Sequence, residues 1–185
     1  MKSRFVDTEK ALLRRAKRWD RQALAEIYDL FSPRLYRYGL RLLGNADVAE
    51  ECVAETFERF LLALHRGGGP QEYLQAYLFR VAHNWVTDYY RRHLFADAEL
   101  DPNLRADHQV DEVVLGELET QELRTALAGL NADQRQAIVL KYLEGWQNEE
   151  ISKSIARSVG AVKALQHRGL LNLQKALIKE GRALE

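Results

Sequence analysis

The sequence holds one cysteine and three prolines in 185 residues. A single thiol, Cys52, excludes an internal disulfide and fits a reducing compartment. It lies among apolar residues of a helical stretch, so a buried structural thiol is expected there. With so few prolines, no Gly/Ser linker and frequent Leu, Ala, Glu and Arg, an all-α chain is expected. No apolar run approaches the length of a membrane span. The opening MKSRFVDTEK has no apolar signal core, so no membrane insertion and a cytoplasmic location are expected. His65, His83, His93 and His108 miss the i, i+4 spacing of a helical metal pair, so neither metal nor cofactor is expected. Gly67, Gly68 and Gly69 form a loop free to take positive φ, but no GK[ST] follows to cradle a phosphate. No nucleophile, base and orienter converge, which argues against an enzyme.

Net charge is zero, from 27 basic and 27 acidic residues, and that total hides a pattern. Residues 1–95 hold 16 Lys/Arg against 12 Asp/Glu, a net +4. Residues 96–130 hold 2 against 9, a net −7, and residues 131–185 hold 9 against 6, a net +3. Two basic blocks flanking an acidic one suggest polyanion contact at both ends.

Asp7 and Asp20 are candidate caps for the first two helices. The second carries a stripe of Leu24, Ile27, Tyr28, Phe31, Leu35, Tyr38 and Leu42, with Pro33 expected to bend or break it. Gly44 ends it and Asn45 caps a third helix. That helix turns Ala49, Cys52, Val53, Phe57, Phe60, Leu61 and Leu64 inward. It turns Glu50, Glu51, Glu55 and Glu58 outward. A solvated face explains such glutamates as readily as a docking surface for a basic partner. A fourth helix, about residues 72–93, buries Leu74, Tyr77, Leu78, Val81 and Trp85. Its second face carries Arg80, Asn84, Thr87 and Arg91, with His83 beside it. Basic and amide groups rimmed by aromatics suit phosphates and unstacked bases.

Periodicity fades over residues 96–114, which hold six acidic residues and Pro102 and read as a linker. The expected division is a helical bundle over 1–95, the acidic linker 96–114, and a helix-turn-helix unit over 115–185. Asn131 with Gln134 resembles a capping box. The stretch NEEISKSIARSVGAVKALQHRGLLNL then reads as two helices joined by a turn at Ala156 and Arg157, with Ser158 capping the second. Val162, Leu165, Gly169, Leu170 and Leu173 form its inner stripe. Lys163, Ala164, His167 and Arg168 face outward, as a major-groove reader requires. On spacing alone an ordinary helical hairpin with a basic face fits as well.

Two separated blocks together resemble the extracytoplasmic-function (ECF) sigma factors of bacterial RNA polymerase. The first contains RLYRYGLRLLGNADVAEECVAETFERF and YLFRVAHNWVTDYYRR. The second contains LNADQRQAIVLKYLEGW followed by the hairpin. The resemblance implies two small helical domains and a binding protein without a catalytic centre. Its partners would be core RNA polymerase, promoter DNA and an anti-sigma factor, and the free chain would be a monomer. Glu50, Glu51 and Glu55 would meet the polymerase clamp helices. Arg80, His83, Asn84, Thr87, Arg91 and Arg92 would contact the −10 element and assist melting, with loop 66–70 beside a flipped base. Ser158, Gly160, Lys163, Ala164, His167 and Arg168 would contact the −35 element. The acidic linker would run near the RNA exit path. Ala156 stands where the family usually has a turn glycine, and Asn131 replaces a common proline. A stand-alone helix-turn-helix regulator with an N-terminal sensing domain is the alternative; it would have no use for both the glutamate face and the basic-aromatic helix.

Overall fold

The computed structural model describes residues 2–96 and 114–181, and all regular structure among them is helical. The acidic linker lies outside the described residues. Helix α1 spans Lys2–Ala16, α2 Arg21–Leu43, α3 Ala46–His65 and α4 Leu74–Ala96. Helix α5 spans Val114–Ala128 and α6 Ala132–Ile138; a π-helical turn at Val139–Leu143 leads to α7, Asn148–Ile155, and α8, Val159–Gly181.

Short polar side chains start most of these helices. The Asp20 carboxylate accepts from the backbone N–H of Gln22 at 3.0 Å and of Ala23 at 3.2 Å. Asn45 accepts from Val48 N–H at 3.0 Å, and Asn131 from Gln134 N–H at 2.9 Å. Each bond satisfies a donor that the first helical turn leaves unpaired. The Gln134 side chain does not complete the expected capping box; its oxygen accepts from Asn172 on α8. The real box stands one helix later, where Glu150 accepts from Gln147 N–H at 2.7 Å. Helix α1 begins five residues before Asp7, so Asp7 lies inside it rather than at its cap.

Helices α1–α4 form one bundle, with α2 against α3 and α3 against α4. Ile27, Phe31, Leu35, Tyr38 and Leu42 of α2 are buried there with Phe57 and Phe60 of α3 and Leu78 and Phe79 of α4. Helix α2 runs unbroken past Pro33. The neighbouring Phe31 and Leu35 anchor both sides of the proline. Burying each is worth ~1.5–3 kcal/mol, which offsets a missing backbone bond. Three apolar residues placed inward by spacing lie outward instead: Tyr28, Leu61 and Leu170 are 49%, 37% and 40% exposed. Thr56 and Gln166 take inward places on α3 and α8. On α3 the rest of the expected stripe, Ala49, Cys52, Val53, Phe57, Phe60 and Leu64, is buried.

In the second unit, α6 and α7 pack against α8. Gly169 lets α6 and α8 approach closely: a Cβ there would sit 2.6 Å from Ile138 Cδ1. Helix α7 stops at Ala156, which is left-handed at φ 57°, ψ 46° and donates its N–H to the Ser152 carbonyl. An L side chain at positive φ is strained, and glycine is not. Ala156→Gly is therefore expected to stabilise the fold by about 1 kcal/mol, read as a higher melting temperature.

Candidate polymerase and nucleic-acid interfaces

Helix α3 buries Ala49, Cys52, Val53, Thr56, Phe57, Phe60 and Leu64. The same spacing turns Glu50, Glu51 and Glu58 to solvent; Glu55 is half-buried and pairs with Arg59 at 3.3 Å. Burial pushes the Cys52 thiol up to about 12, so it is an inert packing residue.

Helix α4 is buried on two sides. One side packs into the first bundle through Leu74, Leu78, Trp85 and Val86. The other meets the second unit, because α6 and α7 lie across it. Arg80 donates to the carbonyls of Lys153 and Ser154, the last orphan acceptors of α7. Ser154 Oγ donates to the Ala76 carbonyl at 3.2 Å and accepts from Gln136 Nε2 at 3.2 Å. Phe79 meets the Trp146 ring edge to face with centroids 4.9 Å apart.

His83 is only 1% exposed, which corrects the expectation that it flanks an open face. Its Nε2 lies 2.9 Å from the Ala132 carbonyl, and its Nδ1 lies 2.6 Å from Tyr38 Oη. A carbonyl only accepts, so Nε2 carries the proton and Nδ1 accepts from the tyrosine. Burial, with Arg135 adding repulsion, pushes the imidazole down to about 3. Thr87 is half-buried: it donates to the His83 carbonyl at 2.9 Å and accepts from Arg135 Nη2 at 2.8 Å. Asn84, Arg91 and Arg92 remain exposed, with Arg91 3.4 Å from Asp88. Three of the six residues predicted on this face therefore lie against the second unit, and three remain in solvent.

Sequence reasoning missed Arg135. It is 3% exposed, stacks over Tyr90 at 4.8 Å and donates to the carbonyls of Ala128 and Leu130 at 3.3 Å each. A buried guanidinium is rare without partners, and here carbonyls, a hydroxyl and a π-face supply them. Nothing in the pattern around residue 135 distinguishes it from a surface arginine. Two of its partners, Thr87 and Tyr90, come from α4, distant in the chain.

The second unit presents the hairpin as predicted. Ser158 Oγ accepts from Ala161 N–H at 3.2 Å and starts α8. Val162, Gln166 and Gly169 face inward, while Lys163, Ala164, His167 and Arg168 are all exposed. Ser158 and Gly160 are exposed at the same end. Arg157 is tied to Asp133 at 3.2 Å, which braces the turn against α6.

Both units match known families. Residues 27–94 match the model of sigma-70 region 2, and residues 120–173 match that of sigma-70 region 4. SigL of Mycobacterium tuberculosis, an ECF RNA polymerase sigma factor, is 30% identical over 157 residues, covering 84% of this chain and 89% of SigL. The chain belongs to the ECF sigma factors. BldN of Streptomyces coelicolor, also an ECF RNA polymerase sigma factor, is 28% identical over 176 residues, covering 92% of this chain and 66% of BldN. The fold is shared with CnrH, solved with the cytosolic domain of CnrY, at a TM-score of 0.68 and 22% identity over 93% of this chain and 98% of CnrH. It is shared also with RpoE of Bartonella quintana, solved with the anti-sigma factor NepR, at a TM-score of 0.57 and 25% identity over 83% of this chain and 95% of RpoE. In this sigma factor, region 4 covers part of the α4 face of region 2. No described helix is long and apolar enough to cross a membrane.

The neutral His83 ties stability to pH. Its folded pKa lies below its ordinary value of 6.5, so the unfolded chain binds the proton more tightly. The stability is present above pH 6.5 and lost as pH falls toward about 3. Urea unfolding of the parent and of His83→Gln should show the parent's advantage shrinking below pH 6.5, by up to about 1.4 kcal/mol per unit.

Proposed function

We propose that this sigma factor directs core RNA polymerase to promoters by docking through α3 and reading DNA through α4 and α8. The observation that carries the reading is the cationic face of α8: Lys163, His167 and Arg168 all face solvent on a helix whose inner side is fixed by Gly169. In this reading Lys163, Ala164, His167 and Arg168 contact −35 bases, with Ser158 and Gly160 near a phosphate at the helix N-terminus. Arg80, His83, Asn84, Thr87, Arg91 and Arg92 contact the −10 region. Glu50, Glu51 and Glu55 meet basic residues of the polymerase.

The division of labour follows the expected boundaries: region 2 over 1–95, the linker over 96–114 and region 4 over 115–185. Arg80, His83 and Thr87 are occupied by region 4, so −10 contact requires the units to part. Polymerase would supply that separation by holding each unit at its own site. The protein acts by binding and has no catalytic centre of its own. It works in the cytoplasm as a monomer until polymerase or an anti-sigma factor engages it.

Charge reversal of Glu50 and Glu51 together should abolish capture of core polymerase while leaving the helical circular-dichroism spectrum and melting temperature intact. Full capture in a pull-down would remove these glutamates from the interface. Arg168→Ala should lower discrimination at the contacted −35 base by about 1–3 kcal/mol, measured as relative transcription from promoter variants. Unchanged discrimination would remove Arg168 from the readers.

A further inference from the structure

The turn between α1 and α2 holds a tryptophan where the backbone favours glycine. Trp19 is left-handed at φ 60°. Its N–H donates to the Ala16 carbonyl at 2.9 Å, and the next N–H, that of Asp20, donates to the Arg15 carbonyl at 3.3 Å. That pair of bonds closes α1 in the motif whose left-handed position glycine usually takes, because a side chain there is strained. The ring does not recover the strain by full burial: Trp19 is 47% exposed. A large aromatic kept at a strained, half-exposed position points to an external contact.

The same turn is fixed against the glycine loop that leads into α4. The Trp19 and His65 rings stand nearly perpendicular, at 77°, with centroids 5.9 Å apart. Lys17 Nζ donates to Gln71 Oε1 at 2.8 Å. A Cβ on Gly67 would meet nothing within 4 Å, so the space beside the loop is open. The unpaired charge here is of one sign. Arg18 and Arg21 stand within two residues of Trp19 and Arg66 follows His65; all three are exposed, without an ion pair among the described residues. The acids of the same stretches, Asp20, Glu26 and Glu72, are already paired with Arg15 or Lys10. Guanidinium groups bind phosphates, and an exposed indole stacks on any base whose face is open. A duplex hides those faces, and an unpaired strand presents them.

We propose that Trp19 stacks on one base of an unpaired DNA strand whose phosphates lie along Arg18, Arg21 and Arg66. The ring adds a sequence-tolerant hold beside the α4 face, so that the helix reads bases while the neighbouring turn keeps the strand from pairing again. Placing that strand in an opened promoter rests on the function proposed above. The binding itself does not, because Trp19 is exposed while region 4 covers Arg80, His83 and Thr87.

Fluorescence anisotropy of a labelled DNA strand of about 12 nucleotides, titrated with the full-length chain, tests the binding. The same strand with every base removed keeps the phosphates and lacks the stacking partner. The parent should bind the base-bearing strand about tenfold more tightly than the abasic one, the gain expected of one stacked base. Trp19→Gly, which suits the left-handed backbone, should lose that preference and leave abasic binding unchanged, while Trp19→Phe should keep most of it. Replacing Arg18, Arg21 and Arg66 together with Gln should weaken both strands and lower the salt slope by about 2. No preference for bases in the parent, or an undiminished one in Trp19→Gly, would overturn the site. So would loss of core-polymerase capture in Trp19→Gly, which would assign the ring to a protein partner. At a promoter that the parent opens with core polymerase, Trp19→Gly should slow opening, read by permanganate reactivity of unpaired thymines, and a pre-opened template should restore it. Equal opening rates would overturn that use of the site while strand binding stands. A parent that opens no promoter would overturn the proposed function instead.

Discussion

Helix α4 is a wall shared by two helical units, and His83 is the residue on which that sharing turns. It reaches back to Tyr38 in its own bundle and forward to the Ala132 carbonyl in the other. The bond accepted from Tyr38 needs the neutral ring, whereas Nε2–H donates to the Ala132 carbonyl in either charge state. Protonation would put a hydrogen on Nδ1, which could then no longer accept from the tyrosine hydroxyl, and would bury a charge near Arg135. Because docking buries this ring beside Arg135, a charge on it would oppose the docked state.

Around that pivot the docking surface combines hydrogen bonds with apolar packing. Arg80 fills the end of α7, Ser154 bridges Ala76 and Gln136, and Arg135 joins Thr87 to the carbonyls before α6. Each such bond is worth only ~0.5–1.5 kcal/mol net, because water replaces the partner on separation. Its apolar part includes the Phe79–Trp146 ring pair, and one buried core runs from the first bundle into Leu140 and Ile151. The bundle inside the first unit differs: Ile27, Phe31, Leu35, Phe60 and Phe79 are fully or almost fully buried, and pulling them apart would expose large apolar surfaces. The same helix therefore has one face inside the bundle and one in mixed polar and apolar contact with the second unit.

Much of this was legible in the sequence because its causes are local. Asp20, Asn45, Asn131 and Ser158 cap helices through bonds spanning two or three residues, so position alone identifies them. The outward glutamates of α3 and cations of α8 follow from helical spacing against an apolar stripe. The errors have a common origin in tertiary contact. Tyr28, Leu61 and Leu170 are apolar but lie on the wrong side of a stripe that neighbouring helices set. His83 was placed on an open face because periodicity counts one buried stripe per helix, and α4 has two. Arg135 carried no signal, since Thr87 and Tyr90 reach it only once the two units meet.

If the α4 face contacts DNA as proposed, the hydrogen bonds of the joint involve the groups that would do so. Arg80, Thr87 and the backbone carbonyls they meet are hydrogen-bonding groups whose partners must be replaceable. An apolar docking face on α4 would hold region 4 more firmly, but once opened it would offer nothing to phosphate or base edges. A face of donors satisfies the carbonyls of α7 in one state and acceptors on nucleic acid in another, with little net difference between them. Exchange of partners at nearly constant hydrogen-bond count would let one surface serve as internal contact and, in the function proposed, as external reader.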